Sequence, residues 1–368
     1  MNILVTGSDG FIAKNLIFHL KENGFNDIHR FNSKSDPLLL KEILKKTDFI
    51  FHLAGVNRPI NDEDYLKINS KFTEYLCNMI SDQDKKIPLV FTSSTQVDGN
   101  SAYGKSKLRA EEYLKKFEKS NNNPVYIFRL PNVFGKWCKP NYNSVVATFC
   151  HNIINDLPIN IDNPDKQLTL VHVDDVVQSF IKLLDSRTNR PIYQEVESSH
   201  KVTLGHLAKT LLNFKKSREN NFVEDVGYGF ERLLYSTFLS YLNPSQFSYP
   251  LHKNSDARGI FVEMLKTRRS GQVSFFSALP AVTRGQHYHH IKNEKFLVIQ
   301  GDAKFSFKHI DKAETHEICV SGLNPEIVES IPGWSHAITN IGNSELLCIL
   351  WSNEVFDKDK PDTLHYDI

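Results

Sequence analysis

Two groups of residues in this 368-residue chain have the types and spacing to do chemistry. The first centres on Tyr103-Gly104-Lys105-Ser106-Lys107, where Tyr103 and Lys107 stand four apart and share one face of a helix. A phenol with a pKa near 10 is a poor acid at neutral pH. An ammonium beside it stabilises the phenolate, and the expectation is a lowered pKa and a usable proton donor. Ser94, in Phe91-Thr92-Ser93-Ser94-Thr95, ends an apolar run and offers a hydroxyl to a substrate oxygen. The second group is His287-Tyr288-His289-His290, followed by Glu294 and by His336 in Pro332-Gly333-Trp334-Ser335-His336. On a strand His287 and His289 point to one face and His290 to the other. Three imidazoles and one carboxylate suit Zn²⁺ or another first-row divalent ion.

The elements that must position these groups follow two grammars. Through the first 240 or so residues, short apolar runs at 3–6, 48–53, 88–92 and 125–130 alternate with helical periodicity, as in Ile12, Leu16 and Leu20. Strands without polar alternation, separated by helices, predict a Rossmann-like α/β fold with a parallel sheet covered on both faces. Thr6-Gly7-Ser8-Asp9-Gly10-Phe11-Ile12 sits between the first strand and first helix, where glycines let backbone N–H groups approach a pyrophosphate. The second strand ends near Arg30, Ser33 and Lys34 rather than on a carboxylate, which favours a 2′-phosphate and hence NADP(H). Beyond residue 243 the segments shorten and alternate, at 272–276, 295–299 and 346–351, punctuated by glycines. That is all-β spacing. The expected domains are therefore 1–243, nucleotide-binding, and 244–368, a small β-barrel.

The first domain resembles the extended short-chain dehydrogenase/reductases that act on nucleotide sugars. The likeness rests on the glycine turn, His52-Leu53-Ala54-Gly55, Ile68-Asn69, the Tyr103–Lys107 pair, Arg129-Leu130-Pro131-Asn132-Val133-Phe134-Gly135 and Val173-Asp174-Asp175-Val176. It implies Ser94, Tyr103 and Lys107 as catalytic residues, with Gly7, Gly10, Phe11, Ile12, Leu53, Ala54 and Gly55 at the cofactor and Asn132 at the substrate. Related dehydratases carry Asp-Glu after the serine; this chain has Thr95-Gln96, which favours plain hydride transfer over loss of water. Only eight residues separate Ser94 from Tyr103, fewer than the family usually has.

The second domain resembles cupins through H-x-H-x4-E-x6-G, from His287 to Gly301, and G-x2-H-x3-N, from Gly333 to Asn340. Ala281 and Glu326 stand where each motif opens with glycine. That resemblance implies His287, His289, Glu294 and His336 as metal ligands. Arg284-Gly285-Gln286-His287, with Asp256-Ala257-Arg258-Gly259 upstream, also resembles metal-free sugar 3,5-epimerases, in which the histidine is a general base. Metal is favoured, because Glu294 and His336 have no role in the metal-free scheme. Tyr288, His290 and Lys295 stay open as the base.

Over its full length the chain resembles capsular-polysaccharide enzymes that join a reductase to a cupin. The resemblance implies inversion at C3 of a UDP-linked 2-acetamido-2,6-dideoxy-4-keto-hexose, then reduction of the C4 ketone by NADPH. The product would be a UDP-N-acetyl-6-deoxy-talosamine, a precursor of N-acetylfucosamine. Two alternatives remain: a reductase whose barrel only dimerises the chain or senses a sugar, and an NADP(H)-sensing regulator.

Composition bounds the partners. The formal charge is +1, from 44 basic and 43 acidic residues, which gives no reason to expect nucleic acid or an anionic membrane as a partner. Apolar runs fall short of the roughly 20 residues that span a bilayer. Five scattered cysteines without a C-x-x-C pattern fit a reducing compartment, so the expected location is the cytoplasm and the expected assembly a homodimer through the barrel.

Overall fold

The computed structural model describes residues 1–59, 61–185 and 191–368. Packing divides the chain into two units, Met1–Leu211 with Leu233–Tyr241, and Leu212–Arg232 with Leu242–Ile368. All five cysteines are free thiols. Among the described residues no helix is long and apolar enough to cross a membrane.

The first unit opens with β1 (Ile3–Thr6), α1 (Phe11–Glu22), β2 (Ile28–Phe31), α2 (Pro37–Lys46), β3 (Phe49–His52) and α3 (Phe72–Ser81). It continues with β4 (Leu89–Ser94), α4 (Ala102–Asn121), β5 (Val125–Leu130), β6 (Asn132–Phe134) and α5 (Val145–Ile154). Then come β7 (Gln167–His172), α6 (Val173–Ile181), β8 (Tyr193–Gln194), β9 (His200–Thr203) and the start of α7 (Leu204–Asn220). Strands β2-β1-β3-β4-β5-β8 form one parallel sheet, with β6-β7-β9 a smaller one. β1, β3 and β4 are buried along their whole length, which is why they read as unbroken apolar runs. Leu16 and Leu20 of α1 and Val176 and Phe180 of α6 cover one face, and Leu44 of α2, Leu76 of α3 and Leu114 of α4 the other. The strand order turns back between β1 and β3, so a crevice is expected at their carboxyl ends.

The second unit holds β10 (Phe222–Val223), the start of α8 (Gly229–Leu239), and β11 (Lys253–Asp256), β12 (Gly259–Thr267), β13 (Gln272–Ala278) and β14 (Thr283–Tyr288). β15 (Glu294–Gln300), β16 (Asp302–His309), β17 (Thr315–Ser321), β18 (Ile327–Ser330), β19 (Trp334–Asn340), β20 (Leu346–Ser352) and β21 (Leu364–His365) complete it. One sheet runs β10-β12-β13-β20-β15-β18 with β11 beside β12, the other β17-β16-β19-β14-β21. Their inner faces share one core, Phe276, Phe296 and Leu346 from the first against Phe305, Val320 and Ile338 from the second. A single seam at residue 243 would leave 212–232 with the nucleotide fold. The structure groups that segment with the strand-rich unit, because β10 pairs in parallel with β12 through Phe222–Lys266 and Val223–Thr267.

Candidate functional site

The glycine turn lies at the carboxyl end of β1. Gly7 has φ +65°, and a Cβ there would come within 2.6 Å of the Ala54 backbone, so the turn packs directly on Leu53 and Ala54 after β3. Gly10 caps α1 without any side-chain hydrogen bond, leaving the first N–H groups of the helix to an anion. Phe11 and Ile12 open that helix and pack on the sheet's core. Arg30 is the penultimate residue of β2, while Ser33 and Lys34 are exposed in the turn after it. Sequence reasoning overlooked Asp9, whose carboxylate pairs with Arg30 at 3.2 Å and accepts from Asn32 at 2.8 Å.

At the next strand ends the residues are sorted by partner. Ser93 gives its hydroxyl to buried Glu111 at 2.5 Å, and Glu111 also binds Arg129 through both oxygens. Ser94 Oγ accepts from the Gln96 N–H at 3.2 Å and lies beside the Tyr103 phenol. Burial pushes that phenol up to about 12, against the hydroxyl of Ser94, so the lowered pKa expected from the sequence is reversed. Lys107 is buried as well, its ammonium donating to the Thr92 carbonyl at 2.8 Å. Burial brings Lys107 down to about 8, with Glu111 opposing. A Cβ on Gly55 would stand 3.0 Å from that ammonium, so Gly55 leaves it room.

Asn69 lies in a π-helical turn, Tyr65–Lys71, ahead of α3. Its amide accepts from Val56 N–H at 2.8 Å and donates to the Val56 carbonyl and to Ser106 Oγ, each at 3.0 Å. Ser106 in turn donates to the Tyr103 carbonyl at 2.7 Å, so Asn69 ties the loop after β3 to the helix carrying Tyr103 and Lys107. Ile68-Asn69 belongs to the family likeness read from the sequence, and the structure adds what Asn69 ties together. His52 is a packed core histidine, bonded to Thr6 and Thr73 and held by burial at about 3. Asn132 is exposed at the start of β6, with its amide 3.5 Å from the Thr169 carbonyl.

In the second unit His287, His289, Glu294 and His336 converge, with one donor atom from each within 4.8 Å of the others. A bulge brings this about. Gly285 at φ +97° and Gln286 at φ +63° shift the register of β14, after which His287 pairs with His336 of β19, their rings 4.5 Å apart. His289 follows β14, and Glu294 begins β15 on the other sheet. The His289 Nδ1–H donates to the Asp362 carbonyl, which leaves its Nε2 lone pair 3.1 Å from Glu294 Oε2. His336 bonds Ser330 through Nδ1 at 2.8 Å and turns Nε2 to the same oxygen at 3.3 Å. Two imidazole nitrogens and a carboxylate oxygen face one point, with the His287 ring beside them, so this donor set fits a divalent metal. Burial raises the Glu294 carboxyl, but His289 and His336 outweigh it and hold it well below the usual carboxylate range. Burial, then His336, takes His287 down to about 4, so it is neutral at pH 7.

Asp362 does more than accept from His289. Its carboxylate takes the backbone N–H groups of His290, Ile291 and Lys292 at 2.7–3.1 Å, closing the turn between the second and third members of the cluster. Burial raises its carboxyl, but these three donors bring it down to about 2. Nothing local in the sequence joins residue 362 to residue 290. Of the open base candidates, Tyr288 and Lys295 are strand neighbours of cluster members and point to the opposite faces. Tyr288 packs on Tyr366 and His290, and Lys295 pairs with Glu329. His290 is exposed in the turn.

Residues 3–196 match the NAD dependent epimerase/dehydratase family, and residues 254–364 the polysaccharide biosynthesis C-terminal domain. A curated relative from Pseudomonas aeruginosa, named UDP-2-acetamido-2,6-beta-L-arabino-hexul-4-ose reductase, is 50% identical over 99% of this chain and 98% of its own. The crystal structure of the capsular polysaccharide assembling protein CapF from Staphylococcus aureus superimposes with TM-score 0.93 at 40% identity, covering 100% of both chains. A UDP-glucose 4-epimerase structure from Thermotoga maritima matches 66% of this chain and 98% of its own with TM-score 0.54 at 18% identity, a likeness of fold.

Proposed function

Because this chain belongs to the NAD dependent epimerase/dehydratase family and carries a polysaccharide biosynthesis C-terminal domain, we propose that it is a two-step nucleotide-sugar enzyme of capsular polysaccharide synthesis. Its strand-rich domain, read as a cupin, inverts C3 of a UDP-linked 2-acetamido-2,6-dideoxy-4-keto-hexose. Its α/β domain then reduces the C4 ketone with NADPH to a UDP-N-acetyl-6-deoxy-talosamine. The full-length relative named as a 4-ulose reductase supports the substrate class. The observation that carries the reductive step is the meeting of the Ser94 hydroxyl and Tyr103 phenol, with Lys107 fixed one helical turn on.

The α1 N-terminus and the Gly7–Gly10 turn would hold the pyrophosphate, and Arg30 with Ser33 and Lys34 the 2′-phosphate. A bound nicotinamide cofactor would supply the hydride that C4 receives. Ser94 orients the ketone oxygen, and Tyr103, protonated at any working pH, gives its proton to the alkoxide as it forms. The Lys107 ammonium offsets the charge left on the phenolate.

For inversion, the C4 ketone acidifies the proton on C3. His287, His289, Glu294 and His336 would hold a divalent ion, which when bound stabilises the enolate oxygen. Ser330 and Asp362 keep the Nδ1 sides of His336 and His289 engaged, so that both rings present Nε2.

Tyr103→Phe tests the separation of the two steps. It should lower NADPH oxidation by about 10²-fold or more while leaving solvent-deuterium exchange at C3 intact. Loss of both activities would defeat the assignment of two sites. Wild-type protein that oxidises NADPH without C3 exchange would leave a reductase with a non-catalytic barrel.

A further inference from the structure

Asp9 occupies the glycine turn between Gly7 and Gly10, and its carboxylate holds Arg30 of β2 and Asn32 just after it. Arg30 Nη2 donates to one oxygen at 3.2 Å, and Asn32 Nδ2 to the other at 2.8 Å. The same guanidinium lies 3.5 Å from the Ser8 carbonyl, so it is folded back over the turn. Asn32 is fixed from behind, its Oδ1 accepting from the Lys34 N–H at 2.9 Å and from the Ser35 hydroxyl at 3.3 Å. The Arg30 and Asp9 side chains are 53% and 56% exposed, so a ligand can reach the pair without unfolding anything.

In a βαβ nucleotide fold this is where the adenine ribose arrives. An acidic side chain there accepts from a free 2′-hydroxyl, and an arginine accommodates a 2′-phosphate. Here the acid comes from the first turn and the arginine from the second strand, and each holds the other. We propose that Asp9 sets the cofactor choice as an internal counter-anion to Arg30. A 2′-phosphate must displace this carboxylate from the guanidinium and then sit near a like charge. A 2′-hydroxyl can donate to the same carboxylate without displacing it. Asp9 therefore holds down the preference for NADPH over NADH, and the wild-type chain binds both. The inference rests on the NADP(H) reading given above for Arg30.

The test is a pair of dissociation constants, for NADPH and NADH, measured on the full chain by nucleotide fluorescence for wild type, Asp9→Asn and Arg30→Ala. Asp9→Asn keeps the size and hydrogen-bonding reach of the side chain while removing its charge. It should raise the ratio Kd(NADH)/Kd(NADPH) by about fivefold, the scale of one exposed charge contact. A ratio that rises less than about twofold, stays put or falls overturns the proposal. Arg30→Ala reports on the underlying reading. If it leaves the ratio unchanged, Arg30 is not the partner of the 2′-phosphate, whatever Asp9→Asn does. A ratio lowered by Arg30→Ala but unmoved by Asp9→Asn retains that reading and removes Asp9 from it.

Discussion

The same burial pulls the Lys107 ammonium and the Tyr103 phenol apart, Lys107 down to about 8 and Tyr103 up to about 12. In the proposed mechanism ketone reduction draws a proton from Tyr103 and needs the positive charge on Lys107, so the lower of the two values limits the alkaline side. The rate of NADPH oxidation with the 4-keto sugar, as kcat/KM, should fall about tenfold per pH unit above about pH 8. A profile flat to pH 10 would contradict this. Unfolding would not explain the fall. Lys107 binds its proton more weakly in the folded chain than the ordinary lysine value of 10.5, so its contribution to stability is largest above that value. That contribution is lost as pH falls through about 8. The Tyr–Lys spacing was legible because residues four apart on a helix must share a face. The direction of the phenol's shift was not, because it depends on how deeply α4 sits against β4.

At the scale of elements, the cluster of three histidines and Glu294 is assembled by strand register. The bulge at Gly285–Gln286 aligns His287 with His336, and the start of β15 delivers Glu294 from the other sheet. Ala281, at a position where the sequence motif expects glycine, adopts φ +64°, a left-handed conformation that glycine reaches at less cost. The segment around Asp362 then clasps the turn 289–292, and β21 pairs with β14 beside it. Asp362→Ala should weaken metal affinity about 10–100-fold, the range found when outer partners of metal-ligating histidines are removed. Competition with a chromophoric chelator measures this directly. Thermal unfolding of the metal-free variant and wild type, compared side by side, separates it from a general loss of fold. Unchanged affinity would show that Asp362 only closes a turn. The histidine motif announced the cluster, because two of its members are separated by a single residue. It could not announce Asp362, which is more than 70 residues away along the chain.

For the whole molecule, the two units have separate cores, one formed around the parallel sheet and the other between two strand layers. If inversion alone uses a metal, chelation should divide the overall reaction. Treating the full chain with a chelator should abolish deuterium exchange at C3. Reduction of a 4-keto sugar already inverted at C3 should stay within about twofold of the untreated rate, and Zn²⁺ should restore exchange. Loss of reduction as well would tie the metal to both steps.

The sequence by itself determined the two fold classes, the glycine turn, the Tyr103–Lys107 face and the four members of the histidine–carboxylate cluster. The glycine turn and the Tyr103–Lys107 face are written in spacing over a few residues, whereas Glu294 and His336 were named by motif and brought to His287 and His289 by strand register. Tertiary structure decided what those residues face. It set Asp9 against Arg30, Asn69 against Ser106 and Asp362 against the turn after His289. It also assigned residues 212–232 to the strand-rich unit. Hydrogen bonds and burial between segments 20 to 70 residues apart depend on packing, and packing leaves no local period in the chain to be read.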